Sequence, residues 1–510
     1  MNLENKIDFS GTTYSVVDPN IYEVYKQTGD GELFEKLVSD LILNKYSDDP
    51  DINKYINSLG KKDQRLAIMS LIDKETKGDS NLLWSEMKSY VESAIDKTEH
   101  IKDVVRIINK FVKDGTVEKK KHGEVMTPIT LVREMLDTLP KEVWSNPNLK
   151  WLDPANGAGT FPFVIIYKLM NGLKDWEPDT EKRYKHIVEN MIYVCELQSR
   201  NVFLWLCGVD PKDEYTTNTY WGSFLEEGFD KHMREVWKVD KFDIVVGNPP
   251  YNGNGTGNGN TIWHLFLEKA DIISRRYINM VHPSSWRMPL KEGDRFYVSS
   301  KIIKNSATYL RILNKEESNK YFGLSIKVDY YLIDKINSSN LCIVETINKK
   351  IEIDIRLLPF IPNGEFETFS RVINGVDKCV VVYSYMYDPR NKYVSSTKSD
   401  EYIYTLVHTT PKSGTRFMYS SISNKGHFGI PKVIFGDSGI YDVIIDINGD
   451  YGMTQHSIGI EIYSIEEAEE LKRVLLSDKF NKFIESVTWS NYQIDWRIFT
   501  YLNKNFYKEF

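Results

Sequence analysis

The feature that most constrains the fold is an alternation of short apolar runs with helical segments between about residues 123 and 335. The apolar positions run together within each segment, as expected of strands that are covered on both faces. Repeated strand–helix units of this kind predict a doubly wound, Rossmann-like α/β sheet. The strand candidates are KWLDPA (150–155), MIYVCEL (191–197), FDIVVGN (242–248), RYINMVHP (276–283) and KVDYYLID (327–334).

A chain of 510 residues is too long for one compact core and predicts two or three domains. Residues 1–100 contain stretches such as LFEKLVSDLIL with helical spacing of apolar residues, which predicts a helical N-terminal domain. Residues 101–340 would form the α/β domain. Residues 341–510 predict a mixed α+β domain, with tyrosine-rich β segments such as CVVVYSYMY (379–387) followed by one amphipathic helix over 464–487.

Composition excludes several classes of protein. No window of about 18 uncharged apolar residues occurs, and Met1 leads into a polar segment rather than an export signal, so we expect a cytoplasmic protein without membrane spans. The four cysteines lack metal-ligand spacing, which predicts neither a bound metal nor a disulfide framework. The net charge of −7 neither indicates nor excludes a nucleic-acid partner.

Two of the predicted strands end in residues suited to a nucleotide cofactor. WLDPANGAGTF (151–161) places Asp153 at a strand end and Gly157 and Gly159 at the turn into a helix, where the backbone can approach a ligand closely. Glu196 ends the second strand, where an acidic side chain can bind ribose hydroxyls. The 43-residue spacing between Asp153 and Glu196 predicts a helical insertion over 172–190.

The third strand candidate leads into NPPY (248–251), followed by a glycine- and asparagine-rich tract over 252–260. The Asn248 side chain and the Pro249 backbone each offer a carbonyl acceptor, and two rigid acceptors suit the two N–H groups of a planar amine. Tyr251 could stack on the ring that carries this amine. The tract could admit and then cover a base drawn out of a duplex. The alternative is that NPPY is only a turn.

Together these motifs resemble the adenine-N6 DNA methyltransferases of the gamma type, Eco57I-like and associated with type II systems. HGEVMTP (122–128) resembles the family's segment over the methionine part of S-adenosyl-L-methionine, and NPPY resembles its catalytic motif. The resemblance covers about residues 120–335 and implies catalysis by Asn248, Pro249, Pro250 and Tyr251. It also implies that Phe322, in YFGLSIKVDYYLI, holds the base opposite Tyr251. Implied cofactor contacts are Thr127, Pro128, Asp153, Pro154, Gly157, Gly159, Phe161, Glu196, Ser223, Phe224 and Asn248.

The sequence departs from the family pattern at two positions. Ser223 stands where the family usually has an acidic residue against the cofactor's adenine, and Asn156 stands where small residues or cysteine are common. The resemblance nevertheless implies a site-specific DNA adenine-N6 methyltransferase that uses S-adenosyl-L-methionine. Its partner would be double-stranded DNA, read by a target-recognition domain over residues 341–510.

Several alternatives follow from the same residues. A cytosine-C5 enzyme needs a nucleophilic cysteine, usually after proline, and no Pro-Cys dipeptide occurs. An N4-cytosine enzyme usually has Ser or Asp in place of Asn248. Methyltransferases acting on RNA or on protein glutamine share the NPPY motif, and a catalytically silent DNA-binding relative also stays open.

Pro50-Asp51 with Glu75-Thr76-Lys77 matches a nuclease pattern in an unsuitable helical context. We therefore expect modification only, with any cognate endonuclease on another chain, and the sequence leaves the oligomeric state open.

Overall fold

A computed structural model describes residues 127–210, 214–253, 260–323, 326–337, 339–382, 386–489 and 493–510. The predicted helical domain over 1–100 and the nuclease-like residues lie outside these ranges. So do most of HGEVMTP and the central part of the glycine- and asparagine-rich tract. None of the helices in the described ranges is long and apolar enough to cross a membrane.

The described ranges contain twelve α-helices and sixteen strands, which we number in chain order. The helices are α1 Ile129–Leu136, α2 Thr160–Gly172, α3 Thr180–His186, α4 Ser199–Val209, α5 Glu227–Glu235, α6 Trp263–Ile273, α7 Tyr297–Ser306, α8 Lys315–Phe322, α9 Phe366–Ile373, α10 Ile465–Leu475, α11 Asp478–Ser486 and α12 Arg497–Tyr501. The strands of the large sheet are β1 Trp151–Asp153, β2 Ile192–Glu196, β3 Asn218–Trp221, β4 Phe242–Gly247, β5 Ser274–Pro283, β6 Ala307–Ile312, β7 Val328–Asp334, β8 Cys342–Glu345 and β9 Lys350–Ile353. The remaining strands are β10 Val394–Ser395, β11 Tyr404–Thr409, β12 Arg416–Ser420, β13 Lys432–Gly436, β14 Ile444–Asp446, β15 Gly452–Met453 and β16 Ser457–Glu461.

The large sheet is mostly parallel and has helices on both faces. Its order is β3-β2-β1-β4-β5-β7-β6-β8-β9, with β7 antiparallel to both neighbours. Alternate residues of β4 enter opposite cores: Ile244 and Val246 pack with α1, α2 and α4, whereas Val245 packs with α5, α6 and α7. This double covering explains why the strand sequences are continuously apolar. The predicted doubly wound α/β fold is confirmed.

All five strand candidates are strands of this sheet, but the sequence analysis missed β3, β6, β8 and β9. In β3 the polar side chains are buried because the fold supplies their partners. Asn218 donates to the backbone carbonyls of Val188, Glu189 and Ile192, and Thr219 accepts a hydrogen bond from Trp205. A strand whose polar side chains are buried in this way lacks the apolar run by which strands are predicted, because the hydrogen-bond partners of these side chains are distant in sequence.

The predicted insertion before the second strand is confirmed. Helix α3 and a wider π-type turn, Ile187–Met191, separate α2 from β2. Asp179 caps α3 by accepting from the backbone N–H of Lys182 at 3.0 Å. The extra length therefore lies away from the strand ends and leaves Asp153 and Glu196 on neighbouring strands.

The region after residue 340 differs in three respects from the prediction. Strands β8 and β9 hydrogen-bond to the large sheet, so this sheet does not end at the predicted boundary at residue 340. The segment 379–387 forms only a single bridge, Val381 to Ile460, among its described residues. The helix expected over 464–487 is two helices, because Ser477 caps α11 by accepting from the N–H of Phe480. The rest comprises a four-stranded sheet, β10-β12-β11-β15, and a three-stranded sheet, β14-β13-β16.

Candidate active site

A cavity of about 270 Å³ lies at the carboxyl ends of β1, β2, β3 and β4. Chain order reverses between β1 and β4, and ligands of open α/β sheets bind at such a switch point. The cavity is lined by Thr127, Pro154, Ala155, Asn156, Gly157, Ala158, Thr160, Phe161, Cys195, Glu196, Leu197, Gln198, Asn201, Gly222, Ser223, Phe224, Leu225, Asn248, Pro249, Pro250, Asn252, Gly253, Ile262 and Phe266. Most of the cofactor residues predicted from the sequence are therefore brought together here.

The two glycines of the loop after β1 have different surroundings. Gly157 has a φ of +54° and open space where a Cβ would stand, so its bare backbone faces the cavity. Gly159 has a φ of +97°, and a Cβ there would lie 2.7 Å from the Phe163 ring and 2.8 Å from the Trp205 ring. Gly159 does not line the cavity. It lets α2 begin close against α4.

Glu196, at the end of β2, is tied to the loop after β1. One carboxylate oxygen accepts from the backbone N–H of Gly157 at 2.7 Å, and the other accepts from the N–H of Gln198 at 2.8 Å. These two bonds fix the position of the carboxylate at the end of β2. This arrangement suits the predicted binding of a diol.

Asp153, at the end of β1, lies behind the cavity wall rather than in it. Burial raises the pKa of its carboxyl to about 8, opposed by a hydrogen bond from the N–H of Ala155 and assisted by the negative charge of Glu196. A Cβ at Gly247 would stand 2.8 Å from Oδ1 of Asp153. The missing side chain at Gly247 therefore allows the ends of β1 and β4 to meet.

The loop after β3 forms an apolar side of the cavity. Phe224 stacks on Phe266 of α6, with ring centroids 5.4 Å apart and an interplanar angle of 29°. Both rings line the cavity together with Ser223. The N–H of Ser223 donates to the Glu226 carboxylate at 3.2 Å, and its hydroxyl accepts from the N–H of Leu225. The two rings could hold a flat heterocycle.

Asn248, Pro249 and Pro250 follow β4 and line the same cavity, whereas Tyr251 lies outside its lining. The side-chain amide of Asn248 donates from Nδ2 to Oγ1 of Thr127 at 2.9 Å. Tyr251 is 6% exposed, its hydroxyl has no hydrogen-bond partner among the described residues, and burial raises its pKa well above the usual range. The N–H of Ile262 donates to the carbonyl of Tyr251, and the N–H of Gly253 donates to the carbonyl of Asn260. Both ends of the tract between them are thereby paired.

Two further residues expected at the site, Phe322 and Pro128, also lie outside the cavity lining. Phe322 ends α8 and is buried in the core that contains α1, and among the described residues no ring contact joins it to Tyr251. Pro128 does not line the cavity; its carbonyl accepts from the N–H of Val132 at the start of α1. The opposed positions of Tyr251 and Phe322 around a base stay a prediction.

The sequence analysis missed several cavity residues, including Gln198, Asn201, Ile262 and Phe266. Gln198 follows Glu196 by two residues, and a search of the residues after each strand end would have found it. Ile262 and Phe266 lie beyond the glycine- and asparagine-rich tract and carry no motif. Only the pairing of the two ends of that tract brings them to the cavity.

Residues 182–322 match the model of the Eco57I restriction-modification methylase family, which is less than half of the chain. An uncharacterized adenine-specific methylase of Mycoplasma pneumoniae is 28% identical, over 32% of this chain and 56% of that protein. The match thus spans little more than half the length of that relative. The family match confirms the resemblance to Eco57I-like methylases for the matched segment, which includes β2, NPPY and α8.

Solved structures with similar chains include two restriction-modification enzymes. The Type IIL enzyme MmeI, in complex with DNA, is 12% identical with a TM-score of 0.47, over 74% of this chain and 68% of that chain. A nuclease-deletion mutant of the Type ISP enzyme LlaGI, in complex with a DNA substrate mimic, is 12% identical with a TM-score of 0.47, over 97% of this chain and 67% of that chain.

Proposed function

We propose that this chain is a site-specific DNA methyltransferase that transfers a methyl group from S-adenosyl-L-methionine to N6 of an adenine flipped out of duplex DNA. The observation that carries the proposal is the position of NPPY. Asn248, Pro249 and Pro250 border one cavity with Gly157 and Glu196. The match of residues 182–322 to a methylase family supports the same reaction.

The cavity residues fit the proposed cofactor. Asn156 is 4% exposed, and its Oδ1 has no hydrogen-bond partner among the described residues, so a ligand donor could satisfy it. Glu196 suits the ribose hydroxyls, and the rings of Phe224 and Phe266 suit an adenine. When bound, the cofactor supplies a methyl group activated by a sulfonium.

The chain's own residues would act on the amine that receives the methyl group. Carbonyl oxygens of Asn248 and Pro249 would accept its two N–H bonds, which favours a pyramidal nitrogen with an available lone pair. A C–N bond would form as the S–CH₃ bond broke, and the surplus proton would leave to solvent. No covalent enzyme intermediate is needed. Tyr251 would support the base ring.

The proposal is tested by incubating unmethylated duplex DNA with the protein and S-adenosyl-L-methionine, then analysing the nucleosides by mass spectrometry. We expect N6-methyldeoxyadenosine. Asn248→Ala should lower its rate of formation at least about 100-fold with little change in cofactor affinity. Asn305→Ala, an exposed change on α7, is the matched control.

Substantial activity of Asn248→Ala would refute the assignment of the catalytic residue. Bound cofactor without any methylated deoxynucleoside would refute the DNA reaction, and RNA and protein glutamine would then be assayed in the same way. Sequencing of the modified DNA would give the target site. Association with a separate endonuclease stays a prediction.

A further inference from the structure

We infer that Thr127 is a positioning residue for the side-chain amide of Asn248, an inference that rests on the proposed function. Thr127 is 6% exposed and lies 121 residues before Asn248 in sequence, yet their side chains are hydrogen-bonded at 2.9 Å. The sequence analysis assigned Thr127 to the cofactor alone. Its contact with Asn248 indicates a second role, in the methyl transfer itself.

The two ends of an amide differ in what they offer a substrate amine. Oδ1 of Asn248 accepts hydrogen bonds, whereas Nδ2 carries two donors that would oppose the N–H bonds of the amine. The hydrogen bond to Thr127 engages Nδ2 and turns it toward α1. Thr127 thereby favours the amide rotamer in which Oδ1 serves as the acceptor.

Thr127 is held in place by the start of α1. It precedes Pro128, and a residue before proline is restricted to extended backbone conformations. The Pro128 carbonyl accepts from the N–H of Val132, which fixes the first turn. Leu131, Val132 and Met135 are fully buried, so α1 is anchored along its whole inner face.

The far end of α1 is tied to the strand beside β4. Asn279 of β5 is fully buried, and its Nδ2 donates to the Met135 carbonyl at 3.0 Å and to Oγ1 of Thr138 at 2.9 Å. Asn279 pairs with Val246, two residues before Asn248. Helix α1, β5 and β4 thus form one rigid unit that sets the distance between Thr127 and Asn248.

The test compares Thr127→Val, which keeps the shape and removes the acceptor, with Thr127→Ser, which keeps the hydroxyl. At saturating cofactor and DNA, we expect Thr127→Val to lower kcat about 10- to 100-fold and Thr127→Ser to lower it less than about threefold. The Kd for S-adenosyl-L-methionine, measured by calorimetry, reports any loss of a cofactor contact separately, because such a loss does not lower kcat at saturating cofactor. Thr500→Val, at an exposed threonine of α12, controls for the substitution itself.

A normal kcat for Thr127→Val with a weakened cofactor Kd would overturn the inference and leave Thr127 as a cofactor contact. An equal loss of kcat in Thr127→Val and Thr127→Ser would also overturn the inference, because the hydroxyl group would then not be responsible for the rate. If Thr127→Val unfolds, Thr127→Ala provides the same comparison with Ser. Wild-type protein is assayed in parallel. If the proposed function is wrong, the wild type forms no N6-methyldeoxyadenosine; if only the role of Thr127 is wrong, the wild type still forms it.

Discussion

Replacing Asp153 by asparagine should stabilise the folded chain, and the gain should grow with pH. The carboxyl is 2% exposed, its Oδ2 has no hydrogen-bond partner among the described residues, and burial raises its pKa from 3.8 to about 8. Between about pH 4 and 8 the folded chain therefore holds a proton that the unfolded chain has released. The folded state loses stability as pH rises through this window, and the loss is absent below pH 4.

The magnitude follows from proton linkage. Each pH unit inside the window costs the folded wild type about 1.4 kcal/mol relative to a chain with a neutral side chain at residue 153. Asp153→Asn keeps the acceptor for the Ala155 N–H and carries no titrating group. From pH 5 to pH 7 we expect its advantage in the free energy of unfolding to grow by about 3 kcal/mol at most.

The assay is urea unfolding of the intact chain at pH 5, 6 and 7, with Asp175→Asn, at an exposed carboxylate, as the matched control. The control reports what the same substitution does at an exposed position. A constant difference between Asp153→Asn and wild type across this range would refute the reasoning, because it would mean that Asp153 titrates near its ordinary pKa.

Three further predictions concern packing, buried charge and cofactor binding. Gly159→Ala should lower the free energy of unfolding by about 2 kcal/mol or more, measured by thermal unfolding. The new methyl group would clash with the Phe163 ring, and residue 159 has a left-handed backbone conformation that alanine disfavours. Arg287 and Asp329 form a fully buried ion pair, and Arg287 also donates to residues 361 and 363. Arg287→Met alone should cost about 3–5 kcal/mol in urea unfolding, whereas Arg287→Met with Asp329→Leu should be near neutral; equal losses would contradict this. Phe266→Ala should weaken cofactor binding about tenfold in calorimetry, and an unchanged Kd would exclude the ring from the binding site.

Part of the fold could be predicted from the sequence, because the residues that cause it are close together in the chain. Buried strands such as β4 need a continuous apolar run, and the break at Asn248-Pro249-Pro250 is dictated by residues that cannot continue a central strand. The break between α10 and α11 was also readable in principle, since Ser477-Asp478 is a capping signal within an otherwise continuous amphipathic pattern. Strand β3 could not be predicted, because the burial of Asn218 depends on hydrogen bonds to backbone carbonyls 26 to 30 residues away.

The sequence by itself determined which residues are candidates for the chemistry: a glycine turn, an acidic strand end, and an amide followed by two prolines. Their residue types fix what each can donate or accept, whatever surrounds them. Tertiary structure alone decided which of them meet. The reversal of chain order between β1 and β4 forms the cavity, and the close approach at Gly247 buries Asp153. The unit of α1, β5 and β4 brings Thr127 to Asn248, because a hydrogen bond across 121 residues requires a distance that only the packed sheet sets.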